Sequence, residues 1–186
     1  MCSWPLPGEF HMTDSTGPQL KYDAARGRIT DGAIRYLLIR ADGLMQLFAM
    51  LPEPLREAAL AAFGASVRSH GGDSLRHYQS KQALDPAALL TLVSRASCHL
   101  GWGSWSFEVA DRTRLSLSVR DSPFAAGYGT AKEPVCVPIV GMLTAVADIV
   151  LGCPTSVIET QCCAAGAPVC SFTAIACEKT GGETPS

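Results

Sequence analysis

The chain has 186 residues, of which 47% are hydrophobic and 17% are charged, and its formal net charge is −2. This composition excludes an intrinsically disordered chain and supplies enough apolar material for one ordinary domain with an internal pocket or a dimer face. The small negative charge, without any cluster of Lys and Arg, excludes the electrostatic footprint of a nucleic-acid-binding protein.

The first half of the chain is predicted to be mainly helical. Residues 1–28 are rich in Pro and Gly and are expected to form a mobile leader, with one short strand near Leu20 to Tyr22. Apolar residues at helical spacing predict a first helix over 30–48 and a second over 54–72, closed by its Gly-Gly pair. A third helix is predicted over 85–98, where an Asp-Pro pair starts an apolar stripe.

The second half changes from helical to strand periodicity. Between 102 and 121 the apolar residues alternate and predict an antiparallel hairpin that turns at Asp111-Arg112. After a loop rich in Gly and Pro, the apolar stretch from Val137 to Leu151 predicts a buried helix. Ser156 to Cys162 and Cys170 to Cys177 then alternate as two further strands.

These elements predict a single domain at 29–178, between the leader at 1–28 and a disordered tail at 179–186. The N-terminus lacks the basic start and continuous apolar stretch of a secretory signal, and no window approaches the roughly 20 apolar residues of a membrane helix. A cytoplasmic location is therefore expected. Because thiols stay reduced there, the eight cysteines favour metal ligands, small core residues or reactive groups over disulfides.

Five of the eight cysteines lie between 136 and 170. Glu159 and Cys162 end one predicted strand, and Cys170 opens the next. Cys136 lies at the entrance of the preceding helix, which must return to the same sheet, so four ligands could converge there. Three thiolates and one carboxylate suit tetrahedral zinc, and a shell closed by protein ligands indicates a structural site. The alternative is that these cysteines are small apolar residues of a packed hairpin, since there is no Cys-x-x-Cys pair.

The same segment carries the motifs of a known family: Pro134-Val135-Cys136, Gly141, Gly152-Cys153-Pro154 and the run from Val157 to Phe172. This pattern resembles the 4-vinyl reductase domain, which is found alone in bacteriochlorophyll-synthesis proteins and in front of phenol- and xylene-sensing transcription regulators. In the zinc-bearing sensors the ligands follow one another at intervals of 23, 3 and 8 positions. Cys136, Glu159, Cys162 and Cys170 keep these intervals. The resemblance thus implies a structural zinc bound by these four residues.

The resemblance covers about residues 100–177 and implies an α+β fold. Helices would pack on an antiparallel sheet, as in a subunit of the Golgi vesicle-tethering complex, with a zinc-bound hairpin at the C-terminal end and a homodimer as the common assembly. Ala167-Pro168 depart from the acidic residues of many members, which should alter the charge of the loop more than the metal shell. Because the sequence has no P-loop and no DNA-binding helix pair, the free-standing branch of the family is the better match.

The resemblance also bears on the ligand. The phenol sensors bind their ligand with a His and a Trp that lie ahead of the first zinc-binding Cys. In this chain no Trp occurs between 106 and 186, so phenol specificity is not expected. The free-standing branch implies a tetrapyrrole (a bacteriochlorophyll intermediate) or another hydrophobic molecule. Aromatic and polar side chains ahead of Cys136 are the candidate pocket residues. They are His99, Trp102, Trp105, Phe107, Phe124 and Tyr128. Each has the alternative of being an ordinary core or helix-end residue.

Three functions follow as hypotheses. The first is a non-catalytic, zinc-stabilised binding or carrier protein for a hydrophobic small molecule. The second is a 4-vinyl reductase enzyme or subunit that receives electrons from another protein, and the third is a one-domain sensor or adaptor that acts through a partner regulator. No catalytic residue is assigned, because Gly101-Trp102-Gly103 and Gly127-Tyr128-Gly129 lack the rest of a dinucleotide fingerprint. His70 and His77 are interpreted as surface residues.

Overall fold

The computed structural model describes residues 18–177, and of residues 81 and 82 it describes the backbone alone. The first 17 positions of the predicted leader, and the predicted tail, lie outside the described residues. The N-terminal elements are β1 (Lys21–Asp23), β2 (Arg28–Asp31), β3 (Ile34–Tyr36), α1 (Ala41–Ala49), α2 (Leu55–Gln82) and α3 (Pro86–His99). The C-terminal elements are β4 (Ser104–Asp111), β5 (Arg114–Arg120), α4 (Pro123–Tyr128), α5 (Val137–Leu151), β6 (Thr155–Gln161) and β7 (Cys170–Ala176).

The main sheet has four antiparallel strands in the order β4-β5-β7-β6. Strand residues alternate between its faces, and the inner face, which includes Leu115, Leu117, Val119 and Phe172, is fully or almost fully buried. Helix α5 packs against β6 and β7, and α2 packs against α5. The predicted α+β class, with helices on an antiparallel sheet, is confirmed.

Helices α2 and α5 approach closely because glycines face each other between them. A Cβ atom added to Gly141 would lie 2.1 Å from the carbonyl oxygen of Gly64, and one added to Gly71 would lie 2.5 Å from Cε of Met142. The prediction that Gly71-Gly72 end the second helix is therefore wrong. The absence of side chains permits helix contact, which offsets the low helix propensity of glycine, and α2 continues past this pair.

The helix predicted from Thr30 is also wrong in its first part. Residues 28–31 and 34–36 form two strands of a small antiparallel sheet, with Asp31 opposite Ile34. Gly32, at φ +57°, begins the two-residue loop between them, a hairpin signal that outweighs the apolar spacing. The later part of the predicted helix is confirmed, because α1 is helical and buries Met45 and Phe48.

Within the predicted loop at 122–134 lies a short helix, α4, that the sequence analysis missed. Ser122 is its N-cap and accepts a hydrogen bond from the Ala125 N–H at 3.4 Å, while Pro123 takes the first helical position. The Ser-Pro pair at 122–123 could have indicated this helix, because Ser is favoured at the N-cap and Pro at the first helical position. Within residues 18–177, no helix is both long enough and apolar enough to cross a membrane.

Candidate metal cluster and ligand cavity

Four side chains from three neighbouring elements meet at one end of the main sheet. Cys136 precedes α5 as its N-cap residue, Glu159 belongs to β6, Cys162 follows β6, and Cys170 begins β7. Their ligand atoms all lie within 4.8 Å of one another. The structure thus brings together the four residues that the sequence indicates as metal ligands.

A β-bulge explains how Glu159 and Cys162, an odd number of positions apart, reach the same side of the sheet. Glu159 pairs with Phe172 and Gln161 pairs with Ser171, which leaves Thr160 as an extra residue in β6. An extra residue reverses the side to which the following residues point. Cys162 is therefore buried, at 2% exposure, although strict alternation would turn it to solvent.

The thiols are close enough to share one ion. The Sγ atom of Cys136 lies 3.9 Å from that of Cys162 and 3.8 Å from that of Cys170. Cys136 and Cys170 are fully buried. Two further contacts orient the cluster: Ser122 Oγ lies 3.3 Å from Cys136 Sγ, and the Cys163 N–H donates to Cys170 Sγ at 3.3 Å.

Glu159 is held by only one of its two oxygens. Oε2 accepts a hydrogen bond from the Cys136 N–H at 2.9 Å, whereas Oε1 is buried and has no hydrogen-bond partner among the described residues. A buried carboxylate oxygen without a partner is costly, and a cation at the centre of the cluster would supply the missing interaction. The orphaned oxygen and the donor set therefore fit a metal ion.

The protonation of the cluster also suits a cation. Hydrogen bonding to Cys162 and Cys170, followed by burial, raises the pKa of the Cys136 thiol. The hydrogen bonds from Cys136 and Cys170 lower the pKa of Cys162 far below its usual range. Burial, followed by the neighbouring Cys162, raises the pKa of Glu159 to about 8. A bound cation would favour the deprotonated form of each ligand and displace any protons that the ligands carry.

A second feature is a half-open cavity of ≈ 460 Å³ that is bordered by α2, α3 and the β3–α1 linker (residues 37–40). It has the volume of a small-molecule site. The lining residues are Pro18, Ile34, Tyr36, Leu37, Ile39, Leu44, Phe63, Ser66, Val67, His70, Gly71, Ser74, Leu75, Tyr78, Leu92, Val93, Ala96, Ser97, Leu100, Trp102, Phe124 and Met142. None of these described residues is Asp, Glu, Lys or Arg. The cavity is therefore apolar, with a few neutral polar groups.

The cavity extends along α2, and a hydrogen bond between α2 and β2 lies at one of its ends. Phe63 and Tyr78 both line it and lie roughly four turns, or about 22 Å, apart on α2. The Tyr78 hydroxyl donates a short hydrogen bond to Asp31 in β2. Burial, and then this bond, raises the pKa of Tyr78, so the contact persists at neutral and mildly alkaline pH. This bond holds the β2–β3 hairpin against α2 beside the cavity.

The predicted pocket residues fall into different places. Trp102 and Phe124 line the cavity and pack edge to face, with their ring centroids 5.0 Å apart. Trp105 is buried in the core and donates from Nε1 to the Trp102 carbonyl at 3.0 Å, while Phe107 packs against Trp105. His99 is exposed at the end of α3 and does not line the cavity.

Tyr128 lines a different cleft, of ≈ 880 Å³, between the start of α2 and the segment that leads to α5. That cleft carries charged side chains, among them Arg56, Glu57, Lys132 and Glu133. It therefore combines charged with apolar side chains, whereas the described lining of the cavity has no Asp, Glu, Lys or Arg.

Sequence reasoning missed several residues that line the cavity. Tyr36 was assigned to a helix, and Ser97 was not singled out. His70, predicted to be a surface residue, is exposed and also lines the cavity. Gly71 next to His70 was an available signal, because a glycine inside a helical pattern often marks a close contact. The role of Ser97 depends on tertiary packing alone.

Fold and site define an α+β domain with a buried Cys₃Glu cluster at the end of its sheet and an apolar cavity beside its helices. The family model of the 4-vinyl reductase domain matches residues 115–176, the segment that holds the cluster. This match confirms the resemblance to the 4-vinyl reductase domain family that the sequence motifs indicate. None of the curated proteins matches the chain in sequence.

Solved structures agree on the fold. The chain is similar to the phenol-responsive sensory domain of the transcription activator PoxR, solved with phenol, with a TM-score of 0.73, 19% identity and 84% of each chain covered. It is also similar to a trafficking protein particle complex subunit 3 from Naegleria fowleri, covalently bound to palmitic acid, with a TM-score of 0.51, 12% identity and coverage of 74% of this chain and 95% of that one. A vinyl-4-reductase family protein from Methanocaldococcus jannaschii gives a TM-score of 0.48 at 14% identity, over 74% and 91% of the two chains.

Proposed function

We propose that this chain is a binding domain for a neutral, hydrophobic small molecule, stabilised by a structural zinc ion. The observation that carries the proposal is the apolar cavity of ≈ 460 Å³, which has no charged side chain among its described lining residues. Apolar walls with a few polar groups are typical of small-molecule sites. The likeness in fold to a phenol-responsive sensory domain is in keeping with such a role.

The cavity favours a compact ligand over the tetrapyrrole that the family resemblance implies. A chlorophyllide carries a carboxylate, and burying an ionised group without a charged partner is costly. His99, one of the candidate pocket residues, does not line the cavity.

We assign zinc to the cluster on the basis of its donors and distances. A tetrahedron with zinc–sulfur distances of about 2.3 Å has sulfur–sulfur edges of about 3.8 Å. The two measured sulfur separations, 3.9 Å and 3.8 Å, match this edge. With four protein ligands the ion would hold the β6–β7 hairpin against the start of α5, and it would have no open position for a substrate.

A sensor or adaptor is the second candidate function, and the β3–α1 linker favours it. Leu37 lines the cavity yet is 82% exposed, and its neighbour Leu38 is 86% exposed. A ligand beneath this linker would change the apolar surface that it offers to a partner. Co-purification with a regulator in the presence of ligand tests this function, and equal recovery without ligand contradicts it.

The same exposed apolar residues support the proposal that the chain forms a homodimer. Light scattering after size-exclusion chromatography should give twice the chain mass of 19.6 kDa. A charged substitution, Leu38→Glu, should return the mass to that of one chain, because buried charge opposes association. A wild-type protein of single-chain mass at high concentration contradicts the dimer.

A reductase, which the family's name implies, makes a different prediction. Incubation of the pure protein with a divinyl tetrapyrrole and a chemical reductant would then give product. Binding without turnover supports the carrier.

The binding proposal is tested by titrating N-phenyl-1-naphthylamine, a neutral fluorescent probe, into the wild-type protein and two variants of α3. Ala96 lines the cavity, so Ala96→Phe should fill it and abolish saturable binding. Ala87 is exposed on the same helix, so Ala87→Phe is the matched control and should bind like the wild type. Equal binding by both variants would place the probe elsewhere and contradict the proposal.

A further inference from the structure

Ser97 on α3 carries a hydroxyl group without a hydrogen bond. The residue is 6% exposed and lines the cavity. Its carbonyl accepts from the Trp102 N–H at 2.8 Å, but within residues 18–177 its Oγ has no hydrogen-bond partner. Some helical hydroxyls in this chain bond back to the preceding turn, as Thr91 does to the Ala87 carbonyl at 3.0 Å. Ser97 lacks such a bond at the wall of the cavity.

The indole of Trp102 offers a second polar atom at the same place. Its ring lines the cavity, and its Nε1–H has no acceptor among the described residues. By contrast, the Nε1–H of Trp105 is bonded to the Trp102 carbonyl. The backbone bond between Ser97 and Trp102 keeps these two residues together at the end of α3.

The walls around this pair are aromatic and uncharged. Phe124 packs edge to face on Trp102, and Phe63 packs on Phe124 with a centroid distance of 6.4 Å. Asp31, a charged group that contacts the cavity lining, is engaged by Tyr78 at the other end of α2. A ligand group that reaches Ser97 therefore meets neutral hydrogen-bonding atoms inside an apolar enclosure.

We propose that Ser97, together with Trp102, selects ligands that carry a neutral hydrogen-bond acceptor of the carbonyl type on an apolar body. The inference rests on the proposed function, because it concerns the same cavity. An indole N–H can only donate, and a serine hydroxyl donates as well as accepts. Two donors that line the cavity without a protein acceptor disfavour a pure hydrocarbon, since its binding would separate them from solvent without supplying an acceptor. An ionised ligand group is disfavoured beside Ser97, because the described lining has no Asp, Glu, Lys or Arg.

The test uses a matched pair of probes, acetophenone and α-methylstyrene, in which a C=CH₂ group replaces the C=O group at nearly constant shape. Binding is measured by calorimetry or by displacement of N-phenyl-1-naphthylamine. The wild type should bind acetophenone more tightly than α-methylstyrene. Ser97→Ala should weaken acetophenone roughly 2- to 10-fold, the equivalent of one neutral hydrogen bond, and leave α-methylstyrene unchanged or improved. Ser94→Ala, on the same helix but outside the cavity lining, should change neither affinity.

The outcomes separate this inference from the proposed function. If both probes bind equally and Ser97→Ala weakens both or neither, the selectivity is overturned while the binding domain stands. If neither these probes nor N-phenyl-1-naphthylamine bind the wild type, the cavity does not take small apolar molecules and both proposals fail. Circular dichroism verifies that each alanine variant is folded, which is expected because alanine is the strongest helix former.

Discussion

Replacing Cys170 with alanine should destabilise the protein far more than replacing Cys163, which lies on the same hairpin. Cys170 is fully buried, and its sulfur lies 3.8 Å from that of Cys136. In the proposed metal site, both sulfurs bind one zinc ion that joins the start of α5 to β7. Cys170→Ala would remove a ligand and break that link.

The size of the effect follows from the length of chain that the metal closes. Cys136 and Cys170 lie 34 positions apart. A cross-link that closes a loop of this length stabilises the folded state by about 4 kcal/mol in the chain-entropy model. For a domain of this size, such a loss lowers the melting temperature by roughly 8–16 °C. Cys163→Ala, the control, removes a partly buried thiol outside the cluster and should cost only about 1 kcal/mol.

Thermal unfolding with and without a strong chelator, combined with metal analysis, measures this prediction. The wild type and Cys163→Ala should hold about one zinc per chain and should lose stability on chelation, as expected for a structural site. Cys170→Ala should already be unstable and should respond little to the chelator. The reasoning is refuted if the wild type is metal-free as purified and chelation leaves its melting temperature unchanged.

Two further substitutions test the framework that positions the cluster and the cavity. Asp148→Asn should lower the free energy of unfolding, measured with denaturant, by about 1–3 kcal/mol. The reason is that Asp148 accepts hydrogen bonds from the backbone N–H and the hydroxyl of Thr155, at 2.8 Å each, and forms an ion pair with Arg68. A stability equal to that of the wild type would show that these bonds are dispensable. Gly141→Ala should lower the free energy of unfolding by about 3 kcal/mol or more, since the new methyl group collides with α2. Gly43→Ala is the control: its methyl group meets only one atom, at 3.9 Å, so the variant should be as stable as the wild type or more stable. Similar stabilities for the two variants would contradict the close contact of α2 and α5.

Local patterns were sufficient to predict the C-terminal half of the fold except for the short helix α4. The hairpin of β4 and β5 follows from strict alternation, and helix α5 from a long apolar run that ends at Gly152, whose φ is +70°. The cluster residues were found through the spacing of cysteines and one glutamate. Their convergence, however, requires the bulge at Thr160, which alternation alone does not predict.

The N-terminal half depends on contacts between distant segments, so its pattern was misleading. Gly71-Gly72 indicated a helix end, but they serve the contact with α5, whose sequence lies far away. The cavity was located only in part for the same reason. Its walls come from α2, α3 and the linker before α1. The local sequence of each element does not predict which of its faces packs against the others.

The most direct test of the proposed function is anomalous diffraction from crystals of the protein grown with 4-bromoacetophenone, a neutral, largely apolar ketone whose bromine locates it. We expect one bromine peak in the cavity between Phe63, Trp102 and Phe124, and, at the zinc edge, one peak among the Cys₃Glu ligands. A bromine peak in the charged cleft beside Lys132, with the cavity collapsed, would contradict the central claim that this domain binds hydrophobic molecules beside its helices.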